Sequence, residues 1–195
     1  MNLTRDQLTF KPVTMDEWPD LQRLFGPNGA DGGCWCMWWR IKRSEFDRNH
    51  GEPNRLAMEA IIRSGEVPGL LAYLGGEPIG WCSVAPRESF PVLDRSRVLK
   101  RVDDQPVWSI VCFYVARRYR RCGLTPLLIE ASVGYARSRG ATIIEAYPID
   151  PETTQFDVGG AFTGVIATFR KAGFKEVARR SNRRAVLRLS IAKEG

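Results

Sequence analysis

The segment VCFYVARRYRRCGLTPLLIEA, residues 111–131, joins strand-forming residues to a helical pattern through a basic turn with one glycine. A helix N-terminus presents unbonded N–H groups and a partial positive charge. Gly123 allows backbone to approach an anion closely, and Arg117, Arg118, Arg120 and Arg121 add attraction for phosphate. The chemistry expected of this turn is the holding of a phosphorylated ligand. It is not a P-loop, because G-x-x-x-x-G-K-[ST] is absent. It is not a dinucleotide fingerprint either, which needs three glycines.

Residue types limit the other chemistries. The chain has one histidine, His50, so a mechanism needing two is excluded. A Ser-His-Asp arrangement would have to use it, and no G-x-S-x-G elbow is present. Five cysteines are an odd number and do not describe a disulfide framework. Cys34 and Cys36 form a C-x-C pair, with no second pair or nearby histidine to complete a zinc set, so no metal is expected.

The elements that must position the turn follow from periodicity. Residues 8–13 read as a short strand, and Asp16 to Phe25 as a helix. Gly26 to Gly33 is a loop, and the following CWCMWWR fits neither pattern. Residues 54–64 read as a helix. Apolar runs at 69–74 and 78–85 flank Gly75-Gly76, a hairpin signal. Residues 86–106 look polar and irregular. Then come a buried strand at 107–115, a helix at 124–139 and a strand at 142–147. A second helix is expected from Phe162, since Phe162, Val165, Ile166 and Phe169 share one face, with strands near 174–179 and 184–190. The order predicts one mixed α/β domain over residues 1–195, antiparallel at first, with one βαβ unit.

The net charge is +7, and it is unevenly placed. One basic block is the turn. A second, at residues 170–188, holds Arg170, Arg179, Arg180, Arg183, Arg184 and Arg188. Residues 141–169 have Glu145, Asp150, Glu152 and Asp157 and no Lys or Arg. No apolar stretch is long enough to span a bilayer, and MNLTRDQLTF lacks a signal-peptide layout, so a cytoplasmic protein without membrane partners is expected.

Arg120-x-x-Gly123-x-Thr125 resembles the Q/R-x-x-G-x-G/A signature of the GNAT superfamily of N-acetyltransferases. FRKAGFKEV, residues 169–177, resembles the family's later helix-to-strand junction, and the element order is similar over roughly residues 8–190. The resemblance implies a mostly antiparallel sheet with flanking helices. In that sheet two parallel strands, 107–115 and 142–147, splay around acetyl-CoA. It implies that backbone of Phe113 and Val115 meets the pantetheine arm. The turn Arg120, Arg121, Cys122, Gly123, Leu124 and Thr125 would hold the pyrophosphate. Cys122 would then be a cofactor-loop residue and not a nucleophile. Pro126 has no N–H to donate.

This sequence departs from the family at Thr125, where Gly or Ala is usual, and at Phe169, where many members have a tyrosine proposed as general acid. It also lacks the asparagine that some members place near Phe162. Tyr147 or water could take the tyrosine's place.

Direct acetyl transfer needs a neutral amine, a route for its proton and donors for the oxyanion. The acidic stretch starts on the second splayed strand, which suggests Glu145 and Asp150 as carboxylates near the amine, with Asp103 and Asp104 behind them. For each of these the commoner reading is a plain solvated charge. Trp35, Trp38 and Trp39 lie where family members often border the acceptor. They could stack a flat substrate or a cation, or form ordinary core.

The expected function is acetyl transfer from acetyl-CoA to an amine of a small molecule or peptide, with a homodimer left open. A non-catalytic acyl-CoA-binding module is the alternative. An RNA-directed enzyme, suggested by the arginines of 170–188, ranks last because nucleic-acid recognition signatures are absent.

Overall fold

The computed structural model describes residues 2–151 and 162–191. Its elements, in chain order, are β1 (Leu8–Pro12), α1 (Trp18–Phe25), α2 (Arg43–Arg48), α3 (Glu52–Arg63), β2 (Gly69–Leu74) and β3 (Glu77–Pro86). Then follow α4 (Pro91–Arg95), β4 (Trp108–Val115), α5 (Leu124–Ser138), β5 (Ile143–Ala146), α6 (Ile166–Lys171), β6 (Lys175–Ala178) and β7 (Val186–Ser190). The strands form one sheet in the order β1-β2-β3-β4-β5-β7-β6. Every pairing is antiparallel except β4 with β5, which α5 connects as a βαβ unit.

The sheet lies between two apolar layers. Leu70 and Ala72 of β2 face α5, whose Leu124, Leu128, Ile129 and Ala136 are buried on them. Leu71 and Tyr73, alternate residues of the same strand, join Trp81, α1 and α3 on the other face. α5 sits close to β3 because Gly80 has no side chain; a Cβ there would stand 2.6 Å from Leu124 Cδ2.

The cleft of this fold is made where β4 and β5 part. Only Trp108–Ile110 pair with Ile144–Ala146, and β4 then runs on to Val115 without β5. Two local features cause this. Pro148 follows β5 closely and has no N–H for a ladder. On the other side β4 is bulged: Ser83 pairs Cys112 and Val84 pairs Ile110, so Val111 is an extra residue. The carbonyl of Val111 is taken by the buried indole N–H of Trp39, at 3.1 Å. We therefore expect Trp39→Phe to cost about 1–3 kcal/mol, because it leaves that carbonyl unpaired. Urea unfolding checks this, and an unchanged midpoint would show that the indole bond does not support the bulge.

Three expectations are corrected. Residues 86–106 are not irregular throughout, because α4 and its flanks bury Phe90, Leu93 and Leu99. CWCMWWR, which fits neither pattern in the sequence, is a run of turns, and a helix not expected from the sequence, α2, follows it at Arg43–Arg48. The helix expected from Phe162 begins at Ile166: Gly164 has φ of 78°, and Val165 is extended and bridges Ile149. The extended residue turns Phe162 away from the helix face that its spacing suggested.

Candidate functional site

The turn after β4 is held open by backbone geometry. Arg121 and Gly123 both lie in the left-handed region, with φ of 62° and 80°. Leu3 donates its N–H to the Cys122 carbonyl at 2.9 Å and pins the turn from behind. Tyr119 is buried beside it and bonds Glu77 through its hydroxyl at 3.0 Å. Gly123 is the N-cap of α5, and no side chain caps the helix there. The first N–H groups of a helix have no acceptor within it, so these remain available to a ligand.

A cavity of about 570 Å³ runs from this turn along the free edge of β4. It is lined by Phe113, Tyr114 and Val115, by Arg120, Arg121, Gly123, Leu124 and Thr125, and by Phe162 and Thr168 opposite. Arg120 and Arg121 are exposed, whereas the side chains of Phe113 and Leu124 are buried in the core. Those two residues therefore offer the cavity their backbone. Cys122 is half-buried, and its thiol faces the Arg120 carbonyl at 3.5 Å.

A second cavity, of about 380 Å³, opens on the other side of Phe113 and Tyr114. Trp38, Trp39, Phe46 and Phe162 form much of its wall, with ring centroids 5.1–6.4 Å apart for the pairs that include Trp38. Cys34, Cys36 and Cys112 also line it. The Cys36 sulfur accepts the Trp81 indole N–H at 3.4 Å. The Cys112 thiol also points at Cys36 and holds it below the ordinary thiol range, while Cys112 itself is raised. Burial pushes the Cys34 thiol up to about 11. His50 borders the mouth, with Nδ1 donating to the Gly32 carbonyl at 2.6 Å. Among the described residues Asp31 is the only carboxylate common to the two linings.

The three tryptophans separate. Trp38 and Trp39 line the second cavity, but Trp35 does not. Trp35 is buried against Trp18 and Phe25, with centroids 5.8 and 5.6 Å away, and serves as core.

Glu145, Tyr147 and Asp150 line neither cavity. Glu145 is 1% exposed. Its Oε1 accepts from Arg188 Nε at 2.8 Å, and its Oε2 accepts from Arg87 at 2.9 Å and from the Tyr147 hydroxyl at 2.6 Å. An acceptor amine could reach this carboxylate only by displacing those partners. Tyr147 is fully buried and also meets Ser109 at 2.8 Å and Arg87 at 2.7 Å. Burial first, then the Glu145 charge, raises its phenol well above the ordinary tyrosine value. The proton is thereby kept on a hydroxyl aimed at Glu145, away from the cleft. Asp150 is paired with Arg179 at 2.9 Å. Asp103 is clamped by Arg188 at 2.6 Å, which holds it at about 2. Asp104 is exposed and lines neither cavity. Glu152 and Asp157 lie outside the described residues. The structure thus places the two carboxylates expected near the amine in ion pairs, Glu145 with Arg87 and Arg188 and Asp150 with Arg179.

The same contacts account for much of the basic block at 170–188. Arg170 pairs with Glu176 at 3.1 Å. Arg180 donates to the carbonyls of Val98, Lys100 and Arg101. Arg184 donates to the Tyr147 carbonyl and to Thr163. Of these, Arg180 ties the β6–β7 connection to the segment before β4, and Arg184 ties it to the residues after β5.

Asp31, Tyr114, Phe162 and His50 line the cavities and were not singled out as site candidates in the sequence. Asp31 sits in the glycine-rich loop after α1, where nothing in its spacing marks it. Tyr114 lies within the strand expected to hold the cofactor, between Phe113 and Val115, so adjacency to them was its one available signal. Phe169 is buried on Phe113 and Phe174, with centroids 6.0 and 5.1 Å away, and puts no hydroxyl into the cleft.

Among the described residues no cluster of His, Cys, Asp or Glu could hold a metal ion, and no helix is long and apolar enough to cross a membrane.

A family model described as Acetyltransferase (GNAT) family matches residues 35–156. No curated protein is matched. Among solved structures, a GNAT-family acetyltransferase from Streptococcus agalactiae superposes with a TM-score of 0.57. It is 13% identical, covering 98% of this chain and 100% of that one. The PaiA N-acetyltransferase of Thermoplasma acidophilum, solved in complex with coenzyme A, gives 0.53 at 13% identity, over 94% and 99% of the two chains. A ribosomal-protein-alanine N-acetyltransferase from Brucella melitensis gives 0.52 at 18% identity, over 94% and 99%. At these identities the likeness is one of fold.

Proposed function

The chain belongs to the GNAT acetyltransferase family, and from that premise we propose that it transfers an acetyl group from acetyl-CoA directly to an amine. The observation that carries this reading is the parting of β4 from β5 above an uncapped, left-handed turn. The residues present fit the cofactor. Gly123 and Arg121 turn the backbone so that amides at the start of α5 face outward, and the exposed Arg120 and Arg121 bring positive charge to a pyrophosphate. The free edge of Phe113 to Val115 offers backbone groups to an extended amide-bearing arm, as an added strand would use them.

When bound, acetyl-CoA supplies a thioester whose C–S bond breaks as the new C–N bond forms, the electron pair leaving on sulfur and an amine proton following it. The chain's part is to bring the amine to the junction of the two cavities, at Phe113, Tyr114 and Asp31, and to exclude bulk water with the aromatic wall. Bringing two reactants together in this way removes much of the entropic barrier. Phe169 has no hydroxyl to pass this proton to the leaving sulfur, so the proton travels through solvent at the open cofactor end of the cleft, while the aromatic wall shields the amine pocket.

Two measurements on the full chain test the reading. Calorimetry should show acetyl-CoA binding, and CoA release should appear with at least one member of a panel of polyamines, aminoglycosides, amino acids, aromatic amines and peptides. No acetyl-CoA binding would sink the proposal. Binding with no release across the panel would favour a non-catalytic acyl-CoA-binding module, the reading that the buried Phe169 keeps open.

A further inference from the structure

The second cavity specifies what kind of amine it takes. We propose that the acceptor is a small primary amine on a flat aromatic body, its single ammonium held by Asp31. This rests on the acetyltransferase reading above and narrows it.

Charge is the first argument. Among the described residues two carboxylates line the cavity, Asp31 and Asp47. Asp47 is neutralised by Arg43, whose Nε lies 2.9 Å from it. The Arg43 guanidinium is in turn stacked on Trp38, 4.0 Å from the ring centroid. Asp31 makes no side-chain hydrogen bond or ion pair among the described residues, and it is exposed at the point where the two cavities join. One uncompensated negative charge matches one ammonium. A polyamine or an aminoglycoside would leave further cations against aromatic walls with no carboxylate to meet them.

Shape is the second argument. A volume of about 380 Å³ lies at the small end of the small-molecule range of about 300–1,000 Å³. Trp39 is fixed by its bond to Val111, and Trp38 is held edge-on by Phe46 at 5.1 Å, so these walls are set before a ligand arrives. A rigid aromatic slot rewards a planar body through offset or edge-to-face contact. Position is the third. With the ring among Trp38, Trp39 and Phe162, an amine one or two carbons away reaches toward Asp31 and Tyr114, where the cavity meets the cofactor cleft.

The test separates this inference from the reading it rests on. 2-Phenylethylamine, tryptamine, butylamine, spermidine and an aminoglycoside are compared in two ways. Binding is followed by quenching of tryptophan fluorescence without acetyl-CoA, and turnover by CoA release. The expected result is that the two aromatic amines lead in both measurements, by roughly tenfold over butylamine, the gain of one aromatic contact with burial. Asp31→Asn and Trp38→Ala should each raise KM for tryptamine by roughly tenfold, with melting temperatures near that of the parent. Spermidine or the aminoglycoside matching the aromatic amines would overturn the inference and leave acetyl transfer standing. So would unchanged KM in both folded variants. Aromatic amines that quench in an Asp31- and Trp38-dependent way but release no CoA would uphold the pocket assignment while removing the acetyltransferase reading.

Discussion

Gly123→Glu should lose acetyl-CoA binding by a factor of about a hundred or more, roughly 3 kcal/mol, while the chain stays folded. Two physical effects combine. Gly123 has φ of 80°, where a side chain costs about 1–2 kcal/mol. A carboxylate there also stands at the helix N-terminus where the pyrophosphate is proposed to sit, and repels it. The new Cβ would meet only the end of the Asn2 side chain, at 3.1 Å, so the core has no reason to rearrange. Gly123→Ala separates the two effects, since it adds the strain without the charge and should lose far less. Calorimetry with acetyl-CoA, beside circular dichroism and a thermal melt, reads the result. A folded Gly123→Glu protein with parental affinity would show that the ligand's phosphates do not use this turn.

The second large effect concerns stability. Arg87 is 1% exposed, yet it carries a full charge. It bridges Glu145 at 2.9 Å and Asp94 at 2.8 Å, and donates to the Tyr147 hydroxyl and the Leu99 carbonyl. Removing one partner of such a buried set leaves an uncompensated charge and costs about 3–5 kcal/mol. Arg87→Met should therefore lower the melting temperature by roughly 10 °C, at about 2–4 °C per kcal/mol for a chain of this size. The double variant Arg87→Met, Glu145→Leu should recover part of that loss, because it also removes the stranded carboxylate. The same pair of variants examines Glu145 as a structural group. With the double variant folded, acetyl-CoA binding should persist, since neither residue lines the cleft. A drop in stability equivalent to less than about 1 kcal/mol would place Arg87 among ordinary surface ion pairs.

The contrast between these two sites shows where sequence reasoning works. The turn was legible because its requirements are local. A glycine, neighbouring arginines, a strand before and an apolar helix period after all fall within residues 111–131. Gly75-Gly76 was legible for the same reason, as both residues take positive φ in a two-residue turn. Phe162 misled because a helical spacing says nothing about a backbone that bridges another strand first. Val165 is extended to pair with Ile149, so the helix starts later and Phe162 faces the cleft.

The carboxylates failed differently. Glu145 was placed on the right strand, but its charge is satisfied by Arg87 and Arg188, 58 and 43 residues away. Arg188 also reaches Asp103 across 85 residues. No window of sequence contains both ends of such a pair. The net charge of +7 therefore mixed two populations: exposed arginines at the turn, and Arg179, Arg180, Arg184 and Arg188, whose guanidinium groups bond carboxylates and carbonyls of the fold itself. By itself the sequence determined the order of the strands and of the longer helices and the glycine turn before α5, because backbone conformation and period are set by neighbours along the chain. Only the tertiary structure decided that Trp35 is core while Trp38 and Trp39 are wall, and that Asp31 lines both cavities while Glu145 is buried among arginines. Burial and charge pairing are set by residues distant in sequence and adjacent only once folded.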